Sequence, residues 1–312
     1  RPLSEGQVTR LGRREGRLTE RGLMLSDGVI EPYNIYRADA PQGQKVALVI
    51  GSPDLLGKET RRGVDEANVL WLLVEDMPAS GLARRINRQV SGYRAQQHRE
   101  ELEEAGRSED YRTTTCTACE TTIDLSEQDT KPYVYCPYCR ALMLSDGRLV
   151  PGTHEHRVCP ECLLFDRVQT HSFFSFVLVV WSFRRAQMCP HCAERRARMA
   201  LLTNALFLLG VAPALWALFW ARRARSTEFL DLHRANVLAR KGEYEEADGL
   251  YEVMLHSAPR HPGLLLNQAV AHANGADRDG AYDYVDRCLE ACSNYEPALD
   301  FEQILHIVEE NR

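Results

Sequence analysis

Eight of the ten cysteines stand in four Cys-x-x-Cys pairs: Cys116/Cys119, Cys136/Cys139, Cys159/Cys162 and Cys189/Cys192. No other feature restricts the fold so tightly. Each pair bends the backbone so that two sulfurs reach one ion from the same side, and two pairs complete a tetrahedral shell. The spacing predicts two structural zinc ions. Pairing neighbouring knuckles closes the shortest loops, giving Cys116/Cys119/Cys136/Cys139 as one site and Cys159/Cys162/Cys189/Cys192 as the other. The competing topology interleaves them, with Cys136/Cys139 facing Cys159/Cys162. Buried free thiols and redox dithiols are the other readings of the same residues. A redox pair usually occurs singly near a βαβ pattern, and here four pairs occur without one.

The second site encloses an apolar insert, residues 173–183 (FFSFVLVVWSF), and is followed by a longer apolar run, residues 199–221 (MALLTNALFLLGVAPALWALFWA). At 1.5 Å per residue, roughly 23 residues of helix would measure about 34 Å, enough to cross a hydrocarbon core of about 30 Å. Gly210 and Pro213 interrupt the run. Arg195, Arg196 and Arg198 precede it and Arg222, Arg223 and Arg225 follow it, so the positive-inside rule gives no direction. Reduced cysteines on one flank and an acidic region on the other both suit the cytoplasm, so an even number of crossings is required. A non-spanning hairpin is therefore expected, with half-helices over 200–209 and 214–221 and the 173–183 insert covering the bend. A single span and a buried core helix are the alternatives. Membrane lipid is thus an expected partner through 173–183 and 199–221.

Charge supports this division. The 312 residues carry a formal −6, which excludes a strongly basic nucleic-acid binder. Residues 172–225, however, contain eight arginines against one glutamate, whereas residues 228–312 contain seventeen acids against seven bases. Basic residues gather beside the apolar runs, as expected at an anionic lipid surface. No signal-peptide pattern is visible, and a start at Arg1 leaves the true N-terminus expected outside the sequence given.

Taken in order, the first dozen residues read as poorly ordered. β-type stretches follow over 17–26, 29–38, 45–51 and 68–74, the first two joined by Asp27-Gly28. Residues 52–67 read as a long loop. Asp76 and Pro78 open a helix whose apolar stripe is Leu82, Ile86, Val90 and Tyr93. This order, with Gly22-Leu-Met-Leu-Ser-Asp-Gly28 running into Val29-Ile-Glu-Pro-Tyr-Asn-Ile35, resembles bacterial pleckstrin-homology-like domains. The resemblance implies lipid or protein binding, and no phosphoinositide-type basic cluster matches it.

Cys116-Thr-Ala-Cys119, sixteen residues and Cys136-Pro-Tyr-Cys139 resemble a zinc ribbon, with Arg140 where many ribbons have glycine. His154 and His156 read as surface residues, since four cysteines already complete each site. Farther on, Ala235, Ala247, Tyr251, Leu255 and Pro259 are answered 34 residues later by Ala269, Ala281, Val285, Leu289 and Ser293, the tetratricopeptide period. Gly242-Glu-Tyr-Glu-Glu-Ala247 through Pro259 is close to that family's consensus. Cys288 occupies a small packing position, so it and Cys292 read as core thiols. The whole order over 155–310 is similar to bacterial zinc-ribbon membrane proteins with C-terminal tetratricopeptide repeats.

The expected architecture is multidomain α+β. Its parts are a pleckstrin-homology-like domain over 12–106, a zinc ribbon over 111–150, a second ribbon with its membrane-associated segment over 154–225, and helical repeats over 228–312. No phosphate loop, nucleophile elbow or His-Glu-x-x-His helix is visible, and no cysteine site is left open. The sequence therefore reads as a non-enzymatic, membrane-associated scaffold facing the cytoplasm. Its repeats are expected to take a neutral or basic protein partner on their inner face, with Leu232, Asn236, Leu266 and Val270 exposed there. A zinc-ribbon nucleic-acid or transcription-type binder and a thiol oxidoreductase are the alternatives.

Overall fold

The computed structural model describes residues 8–11, 14–25, 27–42, 44–56, 58–62, 64–74, 77–153, 155–177, 180–205, 211–223 and 229–310. The chain forms two compact units, one of residues 1–129, 136–141 and 146–148, the other of residues 130–135, 142–145 and 149–312.

In the first unit, strands β1 (Val8–Leu11), β2 (Arg14–Thr19), β3 (Gly22–Leu25), β4 (Gly28–Ile30), β5 (Ile35–Gln42) and β6 (Lys45–Ile50) precede a short helix α1 (Lys58–Arg61) and strand β7 (Val69–Val74). They form one antiparallel sheet in the order β4-β3-β2-β1-β7-β6-β5. Alternation explains why one face is core: Val46, Leu48 and Ile50 on β6 and Leu70, Leu72 and Val74 on β7 are buried, while Trp71 is exposed, and of the residues between them on β6 the small Ala47 is buried too. Part of the N-terminal stretch read as poorly ordered is a paired strand, with Thr9 opposite both Gly16 and Val74.

Helix α2 (Ala79–Glu104) lays Leu82, Ile86 and Val90 on that core, the stripe expected from helical spacing, although Tyr93 is exposed. Asp76, read as its cap, lies outside the described residues. Buried Asn87 fixes the register of α2 against β5: its Oδ1 accepts from Ala38 N at 2.7 Å and its Nδ2 donates to Ala38 O at 2.8 Å. The hairpin of β8 (Thr113–Thr115) and β9 (Thr122–Asp124) also belongs to this unit, as does the Cys136–Ala141 turn.

The second unit begins with two short hairpins, β10 (Tyr133–Tyr135) with β11 (Leu142–Leu144) and β12 (His156–Val158) with β13 (Phe165–Arg167). The apolar insert becomes a longer hairpin, β14 (Gln169–Val177) with β15 (Val180–Met188). Helices α3 (Pro190–Ala205) and α4 (Val211–Arg223) follow. The 199–221 run is therefore not one helix, and the expected half-helices are redrawn. Pro213 sits in the first turn of α4, where its missing N–H removes no helical bond. Gly210 lies outside the described residues. Among the described residues no helix is long and apolar enough to cross a membrane.

Five helices close the chain: α5 (Leu232–Lys241), α6 (Tyr244–Ser257), α7 (Pro262–Asn274), α8 (Arg278–Ala291) and α9 (Glu296–Glu310). α5 packs on α6, α7 on α8, and α7 on both α5 and α6. Ala235, Ala247, Ala269 and Ala281 are all fully buried, which lets the helix axes approach. Gly242 ends α5 at φ 74°, and a Cβ there would come within 2.7 Å of the Asn274 carbonyl oxygen. Both positive φ and close approach demand glycine. Cys288 and Cys292 are buried core thiols.

Candidate metal centres and the strand beside them

Three of the four knuckles are built alike. The first cysteine's N–H is bonded to the carbonyl five residues on, and its carbonyl accepts from the N–H four residues on: Cys116 with Thr121 and Glu120, Cys136 with Ala141 and Arg140, Cys159 with Leu164 and Leu163, all at 2.8–2.9 Å. This turn forces the residue after the second cysteine into the left-handed region, and Glu120, Arg140 and Leu163 have φ of 62°, 63° and 59°. None is glycine, so each turn is held against a steric cost of order 1–2 kcal/mol. The fourth knuckle differs, since Cys189 and Cys192 lie at the start of α3, where the Ala193 N–H bonds to the Cys189 carbonyl as the helix begins.

The eight cysteines fall into two groups, Cys116/Cys119/Cys136/Cys139 and Cys159/Cys162/Cys189/Cys192, each with its sulfurs within 4.8 Å of one another, and each could hold a metal ion. The neighbouring knuckles pair and the interleaved arrangement does not occur. Cys116 and Cys139 sulfurs are 3.6 Å apart, Cys119 and Cys136 3.7 Å, Cys162 and Cys189 3.8 Å. A tetrahedron with arms of about 2.3 Å has edges of about 3.8 Å, whereas a disulfide would bring sulfurs to about 2.0 Å. The donor sets fit an ion, and one bound by all four sulfurs has no position left for water or substrate.

The surroundings differ. At the first group the Thr121 hydroxyl lies 3.0 Å from the Cys119 sulfur and 3.3 Å from that of Cys136. Arg88 from α2 donates to the Cys119 carbonyl at 3.1 Å, leaving the sulfurs alone. At the second group the Cys189 N–H donates to the Cys159 sulfur at 3.3 Å and the Cys192 N–H to the Cys189 sulfur at 3.5 Å. Arg240, from α5, sends Nη2 to the Cys162 and Cys189 sulfurs, both at 3.3 Å. Burial works against the Arg240 charge, but the Cys162 and Cys189 sulfurs hold it protonated. The Cys162 thiol is pushed down by its three cysteine neighbours and then by Arg240. The sequence reading missed Arg240, because a basic residue in the last turn of a helix reads as solvent-exposed.

The inner face of the helices is already occupied. Strand β13 lies across α5 and α7: Asn267 Oδ1 accepts from Phe165 N at 2.6 Å, its Nδ2 donates to Phe165 O at 2.8 Å, and Asn236 Nδ2 donates to Phe165 O at 3.1 Å and to the buried Asp166 carboxylate at 3.0 Å. Tyr251 holds Asn236 from behind by donating to its Oδ1 at 2.7 Å. The Phe165 ring sits where a side chain on Gly263 would be, 2.5 Å from its ideal Cβ. The expectation that Leu232, Asn236, Leu266 and Val270 are exposed is thus corrected: their exposures are 0, 0, 1 and 5 %, because the chain's own strand and core cover them. A second strand is held the same way, with Asn294 Oδ1 accepting from Tyr135 N at 2.9 Å and its Nδ2 donating to Tyr135 O at 2.7 Å.

His156, read as a surface residue, is buried beside the Phe165 and Phe229 rings; His154 lies outside the described residues. In the insert expected to meet lipid, Phe173 is instead buried in the core formed with Met188, Ala193 and Ala197. Compared with protein-family models, with curated proteins and with solved structures, the chain matches none.

Proposed function

We propose that this protein is a non-enzymatic, membrane-associated scaffold in which each four-cysteine group holds a structural zinc ion. The observation that carries the reading is the closed, sulfur-only donor set at tetrahedral spacing, built into the fold twice. Thiolate donors favour zinc among abundant divalent ions without open chemistry. The paired helices α5 to α8 with their buried alanines support the tetratricopeptide reading. The seven-stranded antiparallel sheet with α2 laid on its core supports the pleckstrin-homology-like reading of the first unit. Since β13 fills the inner face of the helices, a protein partner would engage another surface of the repeats. Reduced thiols and the arginines in the first half of α3 and the last turn of α4 support a membrane-associated position with the domains in the cytoplasm.

The test is metal analysis of the reduced, purified chain alongside thiol titration. Two zinc ions per chain are expected, with eight thiols silent until a chelator is added. A metal-free protein in which one pair reacts at once would replace this reading by thiol exchange, and visible absorption from an iron–sulfur cluster would replace the metal.

A further inference from the structure

Helix α4 is packed inside out. Its small residues Ala214 and Ala221 are buried, while Leu215, Trp216, Phe219 and Trp220 on the opposite side are exposed, Trp216 at 64 %. At 100° per residue these four fall within one face. The three aromatic rings lie against one another, with centroids 5.7–6.2 Å apart. Helix α3 shows the same pattern: Ala193 and Ala197 are buried, and Met199 and Leu202 are exposed, Leu202 at 67 %. The polar Asn204 is turned inward and donates to the Phe174 carbonyl at 3.0 Å. Bulky apolar residues outside and alanines inside reverse the usual order of a water-facing helix.

The two helices run antiparallel, since Arg222 near the end of α4 donates to Glu194 near the start of α3 at 3.1 Å. Both charged ends therefore lie at one end of the hairpin: Arg195, Arg196, Arg198, Arg222 and Arg223 gather there. Glu194 is already paired with Arg198 and Arg222, its side chain 12 % exposed. From Met199 to Trp220 the sequence has no charged residue. The ten residues from Val211 to Trp220 measure about 15 Å as a helix, the depth of one leaflet of a hydrocarbon core of about 30 Å.

We propose that the α3–α4 hairpin is a wedge that enters a single leaflet of a bilayer containing anionic lipid, its charge-free end leading and its arginines held at the headgroups. The inference rests on the membrane-associated reading and specifies its mode. Arginines at the base complement anionic headgroups, Trp220 stands at the level where interfacial aromatic residues gather, and Trp216, one turn nearer the leading end, lies deeper.

The experiment floats the full, zinc-loaded chain with vesicles of phosphatidylcholine alone and of equal parts phosphatidylcholine and phosphatidylglycerol. Flotation is expected with the mixed vesicles. It should weaken about fivefold for each of Arg195→Gln and Arg223→Gln and be lost in Leu202→Glu/Trp216→Glu, whose exposed positions leave the fold intact. Bromine placed deep in the acyl chains should quench the emission contributed by Trp216 more than that of Trp220, each identified by its Phe variant. Absence of flotation with either vesicle overturns the membrane reading together with the wedge. Equal binding to both vesicles, or equal shallow quenching of the two tryptophans, overturns the wedge and leaves membrane association standing. A dimer in solution that Leu202→Glu/Trp216→Glu converts to monomer, without flotation, assigns the face to a second copy of the chain.

Discussion

The two four-cysteine groups share ligand type, sulfur spacing and three of four knuckle turns, but they are assembled differently. The first closes from two turn-type knuckles, with the neutral Thr121 hydroxyl beside its sulfurs. The second joins one such knuckle to a helix N-terminus across the β14–β15 insert and receives a guanidinium from α5. Loop length is not what separates them: closing a sequence separation of 27 from Cys162 to Cys189 rather than 17 from Cys119 to Cys136 costs only about 0.4 kcal/mol more. The distinction lies in charge and in partners. Four thiolates around a divalent ion leave a net −2, which the second group offsets with the α3 N-terminus and Arg240. At the first group the contact from a distant element, Arg88 on α2, goes to the Cys119 carbonyl rather than to a sulfur.

The sharpest way to break this comparison is to remove a ligand from each. Cys162→Ser should release one ion and unfold the β12–α3 region while the first group keeps its metal, and Cys119→Ser should do the reverse. Structural zinc contributes about 10–16 kcal/mol in isolated fingers, so partial effects are not expected. Metal content per chain and segment-resolved hydrogen exchange read the result. Loss of both ions from one substitution would mean that the groups are not independent.

The next largest effect concerns the strand beside the second group. Asn267→Leu removes both bonds to the Phe165 peptide group and leaves its buried N–H without that partner, which should cost about 2–4 kcal/mol. The second unit should melt earlier, with Phe165 amide exchange accelerated and the first unit unchanged. A wild-type melting curve would show that the Asn267 bonds are not what holds β13, leaving Asn236 and apolar packing to do so.

Those asparagines also mark where sequence reasoning stops. Cysteine spacing, the Leu82/Ile86/Val90 stripe and the alanine period were all legible, since each follows from one local geometric repeat. Asn87, Asn267 and Asn294 were not. Each uses a carboxamide to match the N–H and C=O of one residue far along the chain, and no local pattern encodes that pairing. Asn267 did carry a signal, as a lone amide pair with Gln268 inside the apolar stretch of α7. The same limit hid the fate of Leu232, Asn236, Leu266 and Val270: helical period shows which face is inner, not whether a strand from the same chain lies on it. The 173–183 insert read as apolar without a period, which cannot separate a hairpin from a helix.

Acid offers a third contrast. In the second unit His261 is fully buried against Tyr133, Phe165 and Phe229, and burial pushes it down to about 4. Its neutral ring carries no penalty above the ordinary value of 6.5, but as pH falls from there toward 4 the unfolded chain gains a proton that the folded one does not. The resulting loss amounts to about 3 kcal/mol. His272, raised despite burial by Asp248 and Asp277, acts in the opposite sense and offsets part of it. In the first unit His98 is raised by its bond to Asp124, so its contribution is present below 6.5 and is lost as pH rises through the folded value. Mild acid should therefore weaken the second unit relative to the first. Metal release in acid is common to wild type and His261→Phe, so the difference between their denaturation midpoints at pH 7 and pH 5 isolates the histidine. Identical slopes would remove it as the cause.

The smallest expected effect bears most directly on the comparison. Arg240→Gln keeps a hydrogen-bond donor near Cys162 and Cys189 but removes the charge. Groups that orient and compensate metal ligands typically contribute 10- to 100-fold in affinity, about 1.4–2.8 kcal/mol. The second ion should accordingly be lost to a competing chromophoric chelator that much more readily, with the first ion unaffected. Thr121→Val makes the matching change at the first group, where only a neutral hydroxyl is removed, and a shift below about tenfold is expected. Arg240→Lys then separates charge from geometry. A lysine supplies the charge as a point without the planar fork that spans two sulfurs, so partial recovery assigns the effect to charge. If Arg240→Gln and Thr121→Val shift their own sites equally, the guanidinium has no special part, and the two groups differ only in the elements that carry their cysteines.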